Sequence, residues 1–217
     1  MHVHYCQPVP VVTRRDVRAD LIGAAELLFA QRGVETVSLR EITVMAAATN
    51  ASAIQYHFGG RSGLLRAIHA KHDPAVERSR HRLLDHCERD GAKDLRMLAA
   101  AFVRPLADRL YAKGGHGYLQ LMADEVNRPN MTYDPSREDP AESTTRWRYL
   151  VEPLLDPEAV RLHRRFVTIQ FTLTDLARRA RNRPEGDHSR YISHLVDLVT
   201  AILDAPLSPE TRRLTGS

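Results

Sequence analysis

The stretch SLREITVMAAATNASAIQYHFGGRSG, residues 38–63, constrains the fold more than any other part of the chain. Ser38 is placed to cap a helix, and Glu41 three residues on completes a capping box. Ile42, Met45 and Ala46 recur at helical spacing and give one narrow apolar face. The run Thr49-Asn50-Ala51-Ser52 is small and polar, which suits a turn followed by a new N-cap. A second helix is predicted from about Ser52 to Phe58, stopped by Gly59-Gly60, because glycine readily takes the left-handed conformation at a helix end. Two short helices, a brief turn and small polar residues on the second helix describe a helix-turn-helix.

The remainder of the chain carries helical periodicity and no strand-like alternation, so the fold class is all-α with about nine helices. Residues 13–32 form a first helix with Val17, Leu21, Ala24, Ala25 and Leu28 along one stripe, ended by Gly33. Residues 61–91 read as one long helix interrupted near Pro74, since proline removes a backbone donor. Residues 93–113 and 117–127 supply two more apolar faces, and 128–143, with three prolines and no period, reads as a loop or flap. A short helix over 144–155 holds Trp147. Long helices over 157–180 and 189–204 follow, the former apolar on two sides. The organisation expected is an arm at 1–12, a helix-turn-helix domain at 13–72, a C-terminal helical domain at 73–205, and a frayed tail at 206–217.

Composition narrows the function classes. The chain has 217 residues, 43% hydrophobic and 27% charged, in the range of an ordinary globular protein. The net charge of +4 permits nucleic-acid binding without requiring it. Cys6 and Cys87 are too few and too far apart for a disulfide framework, and no apolar run reaches membrane-spanning length, so a cytoplasmic protein is expected. His69-x-x-His72 could hold a metal on one helical face, but without further ligands it reads as two exposed histidines. There is no GxSxG, GxxxxGKS or HExxH, so an enzyme is not expected, nor a metal or other cofactor.

Ser38-Leu39-Arg40-Glu41-Ile42, then Gln55-Tyr56-His57-Phe58-Gly59 and Arg61-Ser62-Gly63-Leu64-Leu65, resemble the DNA-binding domain of the TetR family of bacterial transcriptional regulators. The likeness covers roughly residues 14–72. It departs from the family pattern in the turn, where Ala47-Ala48 replaces the usual glycine and one residue is added.

Read from the residues, Asn50, Ser52, Ala53, Gln55 and Tyr56 are small or polar enough to approach base edges. Gln55 can pair with adenine, and Ala53 can touch a thymine methyl. Arg40, Tyr56, His57 and Arg61, with Ser38 at the start of its helix, are expected to hold phosphates. Arg14, in a basic cluster at the start of the first helix, would be relieved of an unfavourable dipole by a nearby phosphate. Ile54 and Phe58 are expected to face the core. The resemblance assigns the positions of His57 and Arg61 to the DNA backbone.

The C-terminal part carries two further expectations. Phe102, Tyr118, Met122, Trp147, Phe166, Gln170 and Leu173 could enclose an apolar ligand with a few polar anchors, and each is also an ordinary core residue. Val167, Phe171, Thr174, Ile192, Leu195, Val199 and Ile202 lie on faces that suit a four-helix bundle between two subunits; an extra intrachain layer would give the same pattern. The resemblance implies a homodimer through the last two helices, a C-terminal regulatory domain, and a repressor released by a small-molecule effector; a dimer of helix-turn-helix heads predicts a palindromic or near-palindromic operator. The alternative keeps the DNA-binding head but gives the C-terminal domain to dimerisation or a protein partner.

Overall fold

The computed structural model describes residues 16–48, 50, 52–89, 91, 94–128, 139, 141–182 and 186–215. Among these there are eleven α-helices and no strand. Asp16 opens α1 (Val17–Arg32) by accepting the Ala19 amide at 3.1 Å, and Gly33, at φ 84°, closes it. The capping box of Ser38 and Glu41 opens α2 (Leu39–Met45), and Gly59, at φ 70°, ends α3 (Ala53–Phe58). Leu21, Ala25 and Phe29 of α1 meet Ile42, Ile54, Leu64 and Ile68 in the core of this N-terminal head. Each large side chain so buried contributes about 1.5–3 kcal/mol.

The long helix α4 (Arg61–Arg89) leaves the head and runs into the body of the protein. It passes through Pro74 without an assigned break, contrary to the interruption expected from sequence. Pro74 lacks the amide that would bond the Ala70 carbonyl, but both residues are exposed, so water can serve that carbonyl.

The body is built on α5 (Leu95–Ala107), which packs against α4, and on α6 (Gly115–Val126), which packs against α1. Next come α7 (Ser143–Val151), α8 (Pro157–Arg161), α9 (Arg164–Arg181), α10 (Ser189–Asp204) and α11 (Pro209–Thr215). Helix α6 also lies on α9, and α10 covers α5 and α9. Trp147 of α7 is fully buried beside Phe102, with ring centroids 4.6 Å apart, and donates its indole N–H to the Leu98 carbonyl at 2.9 Å. The contact of α1 with α6 depends on Gly117: a Cβ there would sit 2.1 Å from the Glu26 carbonyl oxygen.

Three further sequence expectations need correction. The helix expected over 157–180 is two helices, because His163 adopts φ 56° and turns the chain between α8 and α9. The helix expected over 93–113 ends at Ala107 and tightens into a 3-10 turn at Asp108–Leu110. The tail is ordered as α11, where Arg212 reaches Asp156 at 2.6 Å. The arm at 1–12, Arg14, and most of the loop at 128–143 lie outside the described residues.

Candidate DNA-reading head and effector cavity

Helix α3 turns one side into the head and the other to solvent. Ala53 and Ile54 are buried, whereas Ser52 and Gln55 are exposed and Tyr56 is 83% exposed. Ala53 is therefore not available to a thymine methyl; the helix is only six residues long, and this small side chain is spent on packing. Phe58 is half-buried, with the Arg18 guanidinium 5.2 Å from its ring centroid. His57 sets its ring edge-on to Tyr56, with centroids 5.0 Å apart. Before the helix, Asn50 is exposed but its Oδ1 accepts the Ser52 amide at 2.8 Å, so part of its polarity holds the turn. Ser52 makes no side-chain cap.

Two other residues expected at phosphates are already engaged. Ser38 donates its hydroxyl to Glu41 at 2.7 Å, and its amide does the same at 2.8 Å. These bonds, with Arg32 at 2.6 Å, push the Glu41 carboxyl down to about 2. Arg61 donates to the carbonyls of Val37 at 2.8 Å and Val34 at 2.5 Å, which ties the start of α4 to the loop before α2. Its guanidinium is thus committed inside the head. Arg40 remains exposed on α2. In the turn, Ala47 adopts φ 46°, the left-handed conformation for which glycine is suited.

The second feature is a cavity of about 390 Å³ in the body, within the range of small-molecule sites. Four of the seven expected residues line it: Phe102, Tyr118, Met122 and Leu173. Trp147 stands behind Phe102. Phe166 lines a separate small pocket with Arg148 and His163, and Gln170 donates to Asn127 at 2.8 Å. The polar wall comes from α4, as His69, Asp73, Glu77 and Arg80, and from Thr144 at the start of α7.

This wall is in contact with the head through a short chain of side chains. Tyr118 donates its hydroxyl to Asp73 at 2.8 Å, and burial holds its phenol well above the ordinary range. His69 bridges Asp73 at 3.1 Å and Glu125 at 3.0 Å, and these carboxylates raise it to about 10. His72 is buried, contrary to the expected exposed pair, and its ring stacks on Tyr118. It donates to Glu26 of α1 at 2.9 Å, where Lys71 also binds at 2.6 Å. The two histidines of the His69-x-x-His72 pair therefore answer to different carboxylates. Of this network, Tyr118 and the histidine spacing were legible in the sequence; Glu26 and Arg80 carried no local signal.

On the expected dimer faces, Leu195 and Val199 are buried inside the protomer, because α10 lays that side on α5 and α9. They are not available to a partner. Val167 and Thr174 are exposed, Phe171, Ile192 and Ile202 are half-buried, and Leu198, not anticipated, is 38% exposed.

Residues 21–68, which span α1 to the first turns of α4, match the family model described as bacterial regulatory proteins, tetR family. No curated protein matches the chain. No helix among the described residues is long and apolar enough to cross a membrane. The capped helix α2, the exposed polar face of α3 and the match to this model from α1 to α4 mark residues 21–68 as a TetR-type DNA-binding head, the head of a transcriptional regulator.

Proposed function

We propose that the protein is a repressor that binds a palindromic operator as a homodimer and is released by a small molecule held in the cavity behind α4. The observation that carries this reading is the line of contacts from cavity wall to head: Asp73 bonded to Tyr118, Tyr118 stacked on His72, and His72 bonded to Glu26 of α1. A ligand acts on DNA affinity only through different affinity for two states of the protein, and this line gives it a physical route to the head.

On the DNA side, Gln55, Tyr56, Ser52 and Asn50 are the residues proposed to face bases, with Arg40, His57 and Arg14 at phosphates. Ser38 and Arg61 support the surface from behind. The proposed subunit contact uses Val167, Phe171, Thr174, Ile192, Leu198 and Ile202 on α9 and α10. It would set two reading helices about 34–36 Å apart, one turn of DNA. Such a protein works in the cytoplasm, beside its operator. The domain division follows: a head over 13–72 and a regulatory and dimerisation body over 73–205, joined by α4.

Selection of bound fragments from random DNA, followed by footprinting and sedimentation, tests the reading. A two-fold symmetric site occupied by two copies is expected. An isolated asymmetric half-site, or a monomer at full occupancy, would overturn it.

A further inference from the structure

We propose that the cavity takes a small organic anion, a carboxylate on an apolar body, and that Arg80 is its anchor; this rests on the cavity being the effector site. Arg80 is only 3% exposed and lines the cavity with its guanidinium 5.0 Å from the Phe102 ring centroid. Its Nη1 is fixed by Ser143 Oγ at 2.9 Å and Thr144 Oγ1 at 2.8 Å, with Glu77 further off at 3.5 Å. Its Nε is buried and has no hydrogen-bond partner among the described residues. The Nε–Nη2 edge is the one that meets a carboxylate with two parallel bonds. One end of the fork is therefore clamped while the Nε of the carboxylate-docking edge is buried and unsatisfied, a costly state for a polar group.

The other charged groups facing the cavity do not answer this edge. Asp73 is taken by Tyr118 and His69, and His69 is held between Asp73 and Glu125. Glu77 accepts the Ser143 amide at 2.8 Å and hydroxyl at 2.7 Å. Asp139 accepts the Ala141 amide at 2.8 Å. Glu142 is pushed up, first by burial and then by Glu77 and Asp139, towards the form without charge. Among the described residues no carboxylate of the wall is both buried and unpaired, whereas Arg80 is buried with an unpaired Nε. Val76, Leu106, Met122, Ile169 and Leu173 supply an apolar floor for the rest of the molecule.

The test uses the full chain and two readouts, thermal stability and anisotropy of a labelled operator. Octanoate and phenylacetate are compared with octanamide, octylamine and phenethylamine. At least one carboxylate is expected to raise the melting temperature, with its amide and amine counterparts weaker by at least about ten-fold. Arg80→Gln is expected to abolish the difference, and Arg80→Lys, which keeps charge without the fork, to weaken it. The wild-type comparison stands even if these variants fail to fold. Equal or stronger stabilisation by an amine or amide, or none by either carboxylate, overturns the anchor. A carboxylate that stabilises but leaves the operator bound supports the anchor and sinks the effector reading. An amine that stabilises and releases the operator does the reverse.

Discussion

Tyr118 lays its ring on His72 with the two centroids 4.8 Å apart and the planes inclined by 27°. One residue belongs to the cavity wall and the other is hydrogen-bonded to α1, so the stacked pair links the cavity to the head beside the packing of α1 on α6. Glu26, 2% exposed, completes the junction. Its carboxylate is buried, and its stability there depends on Lys71 and His72.

Removing that carboxylate should be expensive. Glu26→Ala leaves His72 buried without its acceptor and Lys71 without its anion, which typically costs 3–5 kcal/mol for a buried pair. Lys71 is partly exposed and can turn to water, so about 3 kcal/mol is expected. Urea denaturation measures this, and a loss below about 0.5 kcal/mol, the scale of an ordinary surface substitution, would contradict the account.

Gly117 makes a separate prediction about the same junction. Gly117→Ala drives a Cβ into the α1 backbone at Glu26, and overpacking of this kind costs about 1–3 kcal/mol. Gly23→Ala is the control, since nothing lies within 4 Å of its added Cβ, and a helix interior gains about 0.5–1 kcal/mol from that exchange. Opposite signs in calorimetry are expected; a matching pair would show that α1 and α6 do not need this close approach.

The pH dependence follows from His69. Its folded value, about 10, lies above the ordinary 6.5, so its ion pairs contribute fully below pH 6.5 and are lost as pH rises towards 10. The wild type should therefore exceed His69→Gln in stability most at mildly acidic pH, and the gap should shrink through that window. A gap that widens with pH would mean that the imidazole is held neutral.

Within the head, Arg40 and Arg61 should part company. Arg61→Ala removes two charge-assisted bonds to the Val34 and Val37 carbonyls and should lower stability by about 1.5–3 kcal/mol with little change in the salt dependence of DNA binding. Arg40→Ala should leave stability alone and reduce the salt slope by about one. Titrations at several ionic strengths separate the two, and a flattened slope for Arg61→Ala would restore it to the phosphates.

Ala47 carries strain that glycine would relieve. An L-residue in the left-handed region costs about 1–2 kcal/mol, partly offset by the extra freedom of unfolded glycine. Ala47→Gly should raise the stability of the head by about 0.5–1 kcal/mol, read as a higher melting temperature. An unchanged or lower value would place the strain elsewhere.

These residues also mark what sequence could and could not reveal. The capping box and the Gly59 stop are local signals, and the head followed from them. Leu195 and Val199 were legible as buried, but periodicity does not say against which neighbour, and α5 rather than a second subunit claims them. Arg80 sits in a run of charged residues indistinguishable from a solvated helix face. Its burial is decided by Ser143 and Thr144, 63 and 64 positions away, which no local pattern encodes. Ala53 misled for the opposite reason: a small side chain fits a base edge and a tight core equally well.

The proline in α4 sets a length scale for the motion a ligand would have to produce. Between Arg61 and Pro74 the helix spans about 20 Å at 1.5 Å per residue. At its foot the backbone lacks one rung of its ladder, so this is where flexing costs least. A tilt of about 10° there swings the head end of that arm by about 3–4 Å, more than a hydrogen bond to a base edge tolerates. The protein would need no remodelled fold to leave its DNA, only about 10° where the Ala70 carbonyl lacks its helical partner.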